Sequence, residues 1–323
     1  MILMWKVKEI WNSNPGPNTK KEYATLTLKG ILMGMADLVP GVSGGTIAYI
    51  TGIYEDLIDA IHSIDHEVLK NVLTLNFKAA LSKINFRFLV PLFGGILFSI
   101  FAFARLMHYL IIYHPEPTWG VFFGLILGSI FILAKEVKEH PTFSTFFWVL
   151  IGTLVGYGVV NLIPVSTPND LWFIFLCGII GITAMILPGL SGSFLLLILG
   201  KYEYVTNTVK NPFIEGNLII LLVFTLGTVT GLISFSKVLH YFLKRFHYPT
   251  RALLTGLLIG SLPKIWPFKT VIESRVIRGK VNVIQDMNIW PGIDSQALFV
   301  FALMLISLVA ILVLERKANG KKA

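Results

Sequence analysis

Four stretches of this chain, Phe88–Tyr113, Phe143–Ile163, Asn217–Phe242 and Gln296–Leu314, are apolar over the thickness of a bilayer. A spanning helix needs about 20 such residues, and only a helix or a closed barrel satisfies its own backbone inside lipid. Thr118–Ala134 is shorter but uncharged, and Thr250–Trp266 is weaker because Arg251 and Lys264 bracket its apolar centre. Hydrophobic residues make up 54% of the chain and charged residues 14%, against about 25% charged in a soluble domain. The mean hydropathy is +0.73. These values exclude a cytosolic enzyme, a disordered chain and a disulfide-stapled secreted domain. The expected fold is an all-α polytopic membrane protein.

The net charge is +9. The basic residues concentrate in short connecting segments, as membrane orientation requires, and do not suggest a nucleic-acid partner. Cys177 is the single cysteine, so neither an intrachain disulfide nor a cysteine-rich metal site is expected. No motif calls for a cofactor. Met1–Trp11 interleaves apolar residues with Lys6, Lys8 and Glu9 and reads as an amphipathic helix on the membrane surface. The expected organisation is an amphipathic segment at 1–22, a main domain at 23–265, and a loop, last span and basic tail at 266–323.

Two apolar regions are broken at their centres. Leu28–Tyr54 contains Asp37-Leu38-Val39-Pro40-Gly41-Val42-Ser43-Gly44-Gly45-Thr46, and Leu171–Tyr202 contains Leu187-Pro188-Gly189-Leu190-Ser191-Gly192-Ser193. Pro and Gly together break a helix. The arm Thr46–Ile53 spans only about half of a ~30 Å core, so each region is read as a re-entrant hairpin with its tip near mid-membrane. Leu171–Leu187 is long enough to cross alone.

The breaks belong to an internal repeat. Pro40 and Pro188 are 148 residues apart, and at that shift Gly52, Tyr54 and Glu55 fall on Gly200, Tyr202 and Glu203. At a shift of 132, Arg105, His108 and Tyr109 fall on Lys237, His240 and Tyr241, and Gly124–Ser129 falls on Gly256–Ser261. The first repeat covers about 23–163 and the second about 171–314. The first carries an extra charged stretch, Ile64–Arg87, expected as a surface helix. One hairpin plus three spans per half is odd in crossings, so the halves should be inverted. Both termini are then cytoplasmic. The outer segments His114–Pro117 and Pro164–Asp170 carry no basic residue, but Pro263–Ser295 carries five and would also lie outside.

Inverted repeats with broken helices are the architecture of secondary transporters, whose binding site lies between the halves. The breaks suit an anion: glycine lets backbone amides approach a ligand, and helix starts offer free N–H groups. Candidate phosphate-binding residues are Pro40, Gly41, Ser43, Gly44, Gly45 and Thr46, with Pro188, Gly189, Ser191, Gly192 and Ser193. The alternative is a tight turn with serine caps. Arg105 and Lys237 lie within apolar helices, where a cation costs about 3 kcal/mol on insertion scales; they either meet the anion or snorkel to the interface. Asp37, Glu55, Glu203, His108 and His240 are candidates for proton coupling or gating, or for helix capping and packing.

The run Ala36–Ala48, followed by Thr51-Gly52-Ile53-Tyr54-Glu55, closely resembles the signature of the polyprenyl-phosphate transporter family, and Leu187–Ser193 also fits it. The resemblance covers about Tyr23 to Ile265. It implies a protein of the bacterial plasma membrane that returns undecaprenyl phosphate, the carrier lipid of cell-wall synthesis, to the cytoplasmic leaflet, with membrane lipids as its surroundings. One alternative is an undecaprenyl-pyrophosphate phosphatase, whose tip resembles Pro-Gly-x-Ser-Arg-Ser. Here Gly44 and Gly192 hold the arginine place, and no two glutamates stand four residues apart. The other is a small-anion transporter or channel.

Overall fold

The computed structural model describes residues 11, 14–39, 41–64, 66–139, 141–277 and 280–319. Pro40 lies outside these residues, as do Lys321, Lys322 and, Trp11 excepted, the expected amphipathic helix Met1–Trp11. The structure is 77% helix.

Helix α1 (Lys20–Asp37) starts where Thr19 accepts a hydrogen bond from Glu22 N at 3.3 Å, while the Glu22 carboxylate accepts one from Asn18 N at 2.7 Å. The first bond satisfies an amide that the first turn leaves bare, and the second ties the preceding residue back onto the helix. After the first break come α2 (Gly44–Ile50) and α3 (Tyr54–His62), then α4 (His66–Leu73) and α5 (Phe77–Lys83). The single surface helix expected over Ile64–Arg87 is therefore two short ones. Leu75 turns the chain at φ 57°, and Asn76 caps the new start by accepting from Ala79 N at 3.4 Å. Arg87 leaves that charged stretch and is buried, donating to Pro17 O at 2.9 Å and Asn14 O at 3.2 Å. The half ends with α6 (Phe86–Tyr113), α7 (Pro115–Glu139) and α8 (Phe143–Val160).

The second half repeats the order as α9 (Leu171–Ile186), α10 (Gly192–Ile198), α11 (Tyr202–Lys210), α12 (Asn217–Arg245) and α13 (His247–Ser261). Adding 148 to the bounds of α2 and α3 gives those of α10 and α11. The expected span Thr250–Trp266 is α13 followed by a 3-10 turn at Leu262–Ile265, and α13 is mostly buried. Among the described residues, the strands lie in the expected loop beyond it. Strands β1 (Lys269–Ile277) and β2 (Lys280–Asn288) pair antiparallel, Lys269 opposite Asn288. Both are rich in the β-branched residues that favour strands. Helix α14 (Ser295–Asn319) closes the described chain. Among the described residues, five helices are long and apolar enough to cross a membrane: α6, α7, α8, α12 and α14.

The helices pair through glycine. A Cβ at Gly30 would lie 2.2 Å from Leu92 O, and one at Gly227 would lie 2.1 Å from Phe175 O, so α1–α6 and α9–α12 touch backbone to backbone. Two further pairings cross between halves. Gly152 would meet Leu253 O at 2.2 Å, joining α8 to α13, and Gly124 would meet Met304 O at 2.1 Å, joining α7 to α14. Small residues permit this approach where apolar lipid supplies no hydrophobic drive between helices. The core forms around α2, α3 and α13, with Ile58, Leu254 and Leu258 fully buried.

Gly152→Ala should destabilise the protein by about 1–3 kcal/mol, the usual cost of overpacking, and lower its melting temperature in detergent. Gly158→Ala, whose added methyl meets nothing within 4 Å, should not. Equal melting of the two variants would contradict backbone contact between α8 and α13.

Candidate functional site

The two helix breaks meet. Ser43 Oγ donates to Met185 O at 2.7 Å, Gly189 N donates to Thr46 Oγ1 at 2.9 Å, and Tyr54 Oη donates to Ile186 O at 3.2 Å. Each bond joins one half of the chain to the other. Gly41 and Gly189 stand at φ +86° and +85°, a left-handed conformation open to glycine. That turn returns the chain so that α2 and α10 run back beside α1 and α9. Ser43, Thr46 and Ser191 are all buried at the junction.

The breaks differ in how their amides are used. At the first, Gly44 N donates to Asp37 Oδ1 at 2.6 Å and Gly45 N to Ser43 Oγ at 3.1 Å. The chain's own carboxylate thus occupies this helix start. At the second, Met185 stands in the Asp37 place, and α10 has no side-chain cap. The Ser191 and Ser193 hydroxyls bond each other at 2.9 Å, and the amides of Gly192 and Ser193 have no partner among the described residues. The second break is therefore the one with donors to offer an anion.

Charged groups flank the junction on two sides. On one, α3 is tied to α12 and α13: His240 Nδ1 lies 2.8 Å and Lys244 Nζ 3.2 Å from the Asp59 carboxylate, and Arg251 Nε donates to Glu55 Oε1 at 3.1 Å. On the other, Lys264 Nζ lies 3.5 Å and Lys269 Nζ 3.2 Å from the Asp286 carboxylate of β2. Burial pushes the Lys269 ammonium below its ordinary pKa, opposed by Asp286. Burial pushes the Asp286 carboxyl up, but Lys269 and Lys264 outweigh it and leave it below its ordinary value. Lys264 reaches both breaks. Its Nζ stands 4.8 Å from the centre of the Phe194 ring, and its Cγ would be 3.5 Å from a Cβ on Gly41.

A family model described as undecaprenyl phosphate translocase-like matches residues 33–282, which includes both breaks. The chain belongs to this translocase-like family. A curated "Polyprenyl-phosphate transporter" of Vibrio cholerae is 41% identical over 305 residues, covering 92% of this chain and 97% of that protein. Another of the same name from Staphylococcus aureus is 34% identical over 257 residues, covering 74% and 85%. No solved structure matches the chain.

In this translocase-like chain the residues singled out from sequence fall into two groups. Gly41, Ser43, Gly44, Gly45, Thr46, Pro188, Gly189, Ser191, Gly192 and Ser193 come together at the junction, and Asp37 joins them as the cap on Gly44. The rest stand apart from it. Arg105 and His108 are exposed on α6, and Lys237 is half-buried on α12. Glu55 and His240 belong to the α3 cluster, and Glu203 is half-buried on α11. Sequence reasoning missed Lys264, Lys269 and Asp286. Their one signal was the excess of basic residues in a segment expected outside. It also missed the hydroxyl of Tyr54, although that tyrosine recurs as Tyr202.

Ser43→Ala removes both a cross-half hydrogen bond and a helix cap, and should cost about 1–2 kcal/mol. Ser191→Ala removes one hydroxyl–hydroxyl bond and should cost about 0.5 kcal/mol. Thermal unfolding in detergent checks the order. Equal melting would mean that the Ser43 bond does not hold the breaks together.

Proposed function

We propose that this chain moves undecaprenyl phosphate from the outer to the cytoplasmic leaflet of the bacterial plasma membrane, making and breaking no covalent bond. The observation that carries this reading is the junction of the two breaks in a member of the translocase-like family. The halves are inverted, each break is the tip of a re-entrant hairpin, and both termini are cytoplasmic. The phosphate binds at the junction, using the free amides of Gly192 and Ser193 and the Ser191 and Ser193 hydroxyls, while the prenyl tail stays in lipid. Gly41, Gly45 and Pro188 shape the paired turns. When the halves rock, Asp37 leaves Gly44, and the first break accepts the headgroup.

The Glu55–Arg251 and Asp59–His240–Lys244 contacts latch the cytoplasmic side in the state described. Glu203 and His108 are their counterparts in gating on the other side. Arg105 and Lys237, related by the repeat, attract the headgroup from opposite leaflets.

The direct test is a leaflet-resolved assay of undecaprenyl phosphate in proteoliposomes. Protein should move the lipid well above the protein-free rate. Arg105→Gln should slow capture from one leaflet and Lys237→Gln release to the other. A rate equal to that of protein-free vesicles would overturn the function. Wild-type rates in both variants would reduce these cations to interfacial anchors.

Topology has its own test. Cysteines introduced by Thr142→Cys and Lys244→Cys should label from the cytoplasmic side, and Asn169→Cys from outside. Labelling of Thr142→Cys and Asn169→Cys from the same side would contradict the inverted arrangement.

A further inference from the structure

Among the described residues the β-hairpin has no counterpart in the first half, so the repeat does not account for it. It packs where the outer end of α8 approaches the 3-10 turn. Between them lies a cavity of about 380 Å³, lined by Tyr157, Val160, Leu162, Lys264, Lys269 and Asp286 among others. Among the described residues two ammonium groups face a single carboxylate there, with Lys269 Nζ also donating to Lys264 O at 2.8 Å, and both are largely withdrawn from solvent, their side chains 26% and 15% exposed. Burying two cations against one anion leaves an excess positive charge, which is costly unless something negative answers it. A structural tether would need one lysine.

The surroundings indicate what the second anion is. Tyr157 and Leu162, at the end of α8, are exposed on the apolar flank of the chain, so the cavity borders the hydrocarbon side as well as the outer face. On its inner side Lys264 touches Phe194 of α10, two residues from the uncapped Gly192 start, and lies beside Gly41 of the first break. Lys269 stands over the Trp119 ring at 5.6 Å. Lys264 therefore lines the cavity and neighbours both breaks, and the cavity suits a lipid whose headgroup carries one or two negative charges.

We infer that Lys264 and Lys269 form the outer receiving site for a phosphate monoester headgroup, with Asp286 as a built-in anion that the headgroup displaces. This rests on the lipid-phosphate reading above and adds its first binding step. A phosphate dianion balances both lysines, whereas Asp286 balances one. Displacement frees the β2 end of the hairpin, and Lys264 can then pass the headgroup toward the second break. Asp286 keeps the lysines neutralised when no lipid is present and excludes weaker anions.

The sign of one substitution separates this from a tether. Binding of undecaprenyl phosphate to the full chain in nanodiscs should strengthen several-fold in Asp286→Asn, because the competing anion is gone. It should weaken about tenfold in Lys264→Gln, as for loss of one hydrogen bond to a charged group. A tether predicts weaker or unchanged binding in both. A second measurement needs no variant: undecaprenyl phosphate should protect Lys264 and Lys269 of the wild-type protein from acetylation, read by mass spectrometry, and undecaprenol should not. Equal labelling with and without the phospholipid, or Asp286→Asn binding no tighter than wild type, overturns the inference. Protection by inorganic phosphate alone at the same concentration also overturns it, because the site would then serve a free ion. If the wild-type protein transports the lipid while these results fail, only the receiving site falls. If it neither binds nor transports the lipid, the function falls with it.

Discussion

Everything in this fold depends on how two interrupted backbones are satisfied away from water. A helix broken inside a bilayer leaves amide and carbonyl groups bare, each costing several kcal/mol in hydrocarbon. Here the halves answer each other: Ser43 reaches Met185 O, and Gly189 reaches Thr46. The halves also exchange partners elsewhere, α8 packing against α13 and α7 against α14. Glycine at each crossing lets the backbones come close enough.

The junction is symmetric in backbone and asymmetric in chemistry. Gly41 and Gly189 turn alike, and α2 and α10 have equal length. Yet one helix start holds the Asp37 carboxylate, while the other is uncapped. In the proposed rocking of the two halves, this inequality leaves one side prepared and the other occupied. The ion pairs around Glu55 and Asp59 lie on one side of the junction, and the two-lysine cavity lies on the other.

Much of this was legible in the sequence, for identifiable reasons. Apolar length reveals spans because lipid leaves the backbone few choices, so α6, α7, α8, α12 and α14 were visible. Pro-Gly pairs reveal breaks by local sterics, and their recurrence 148 residues apart reveals the repeat. What stayed hidden was set by tertiary contact. Helix α13 read as a weaker span, because its burial comes from contact with α8 and not from its own composition. The surface stretch looked like one helix because a left-handed Leu75 leaves little trace in sequence. The hairpin at Lys269–Asn288 looked like a loop in an all-helical chain. Asp286 and Lys264 are 22 positions apart, and only the strand pairing brings them together. Arg105 and Lys237 stood out through symmetry, but the junction is built without them.

The phosphate is proposed to sit between the paired breaks. A cryo-electron microscopy structure of the full chain in nanodiscs with undecaprenyl phosphate tests it most directly. The account predicts headgroup density between the breaks, within hydrogen-bond reach of the Gly192 and Ser193 amides, with the prenyl tail leaving toward lipid. Headgroup density on the exposed face of α6 beside Arg105, with the junction unchanged and empty, would contradict it.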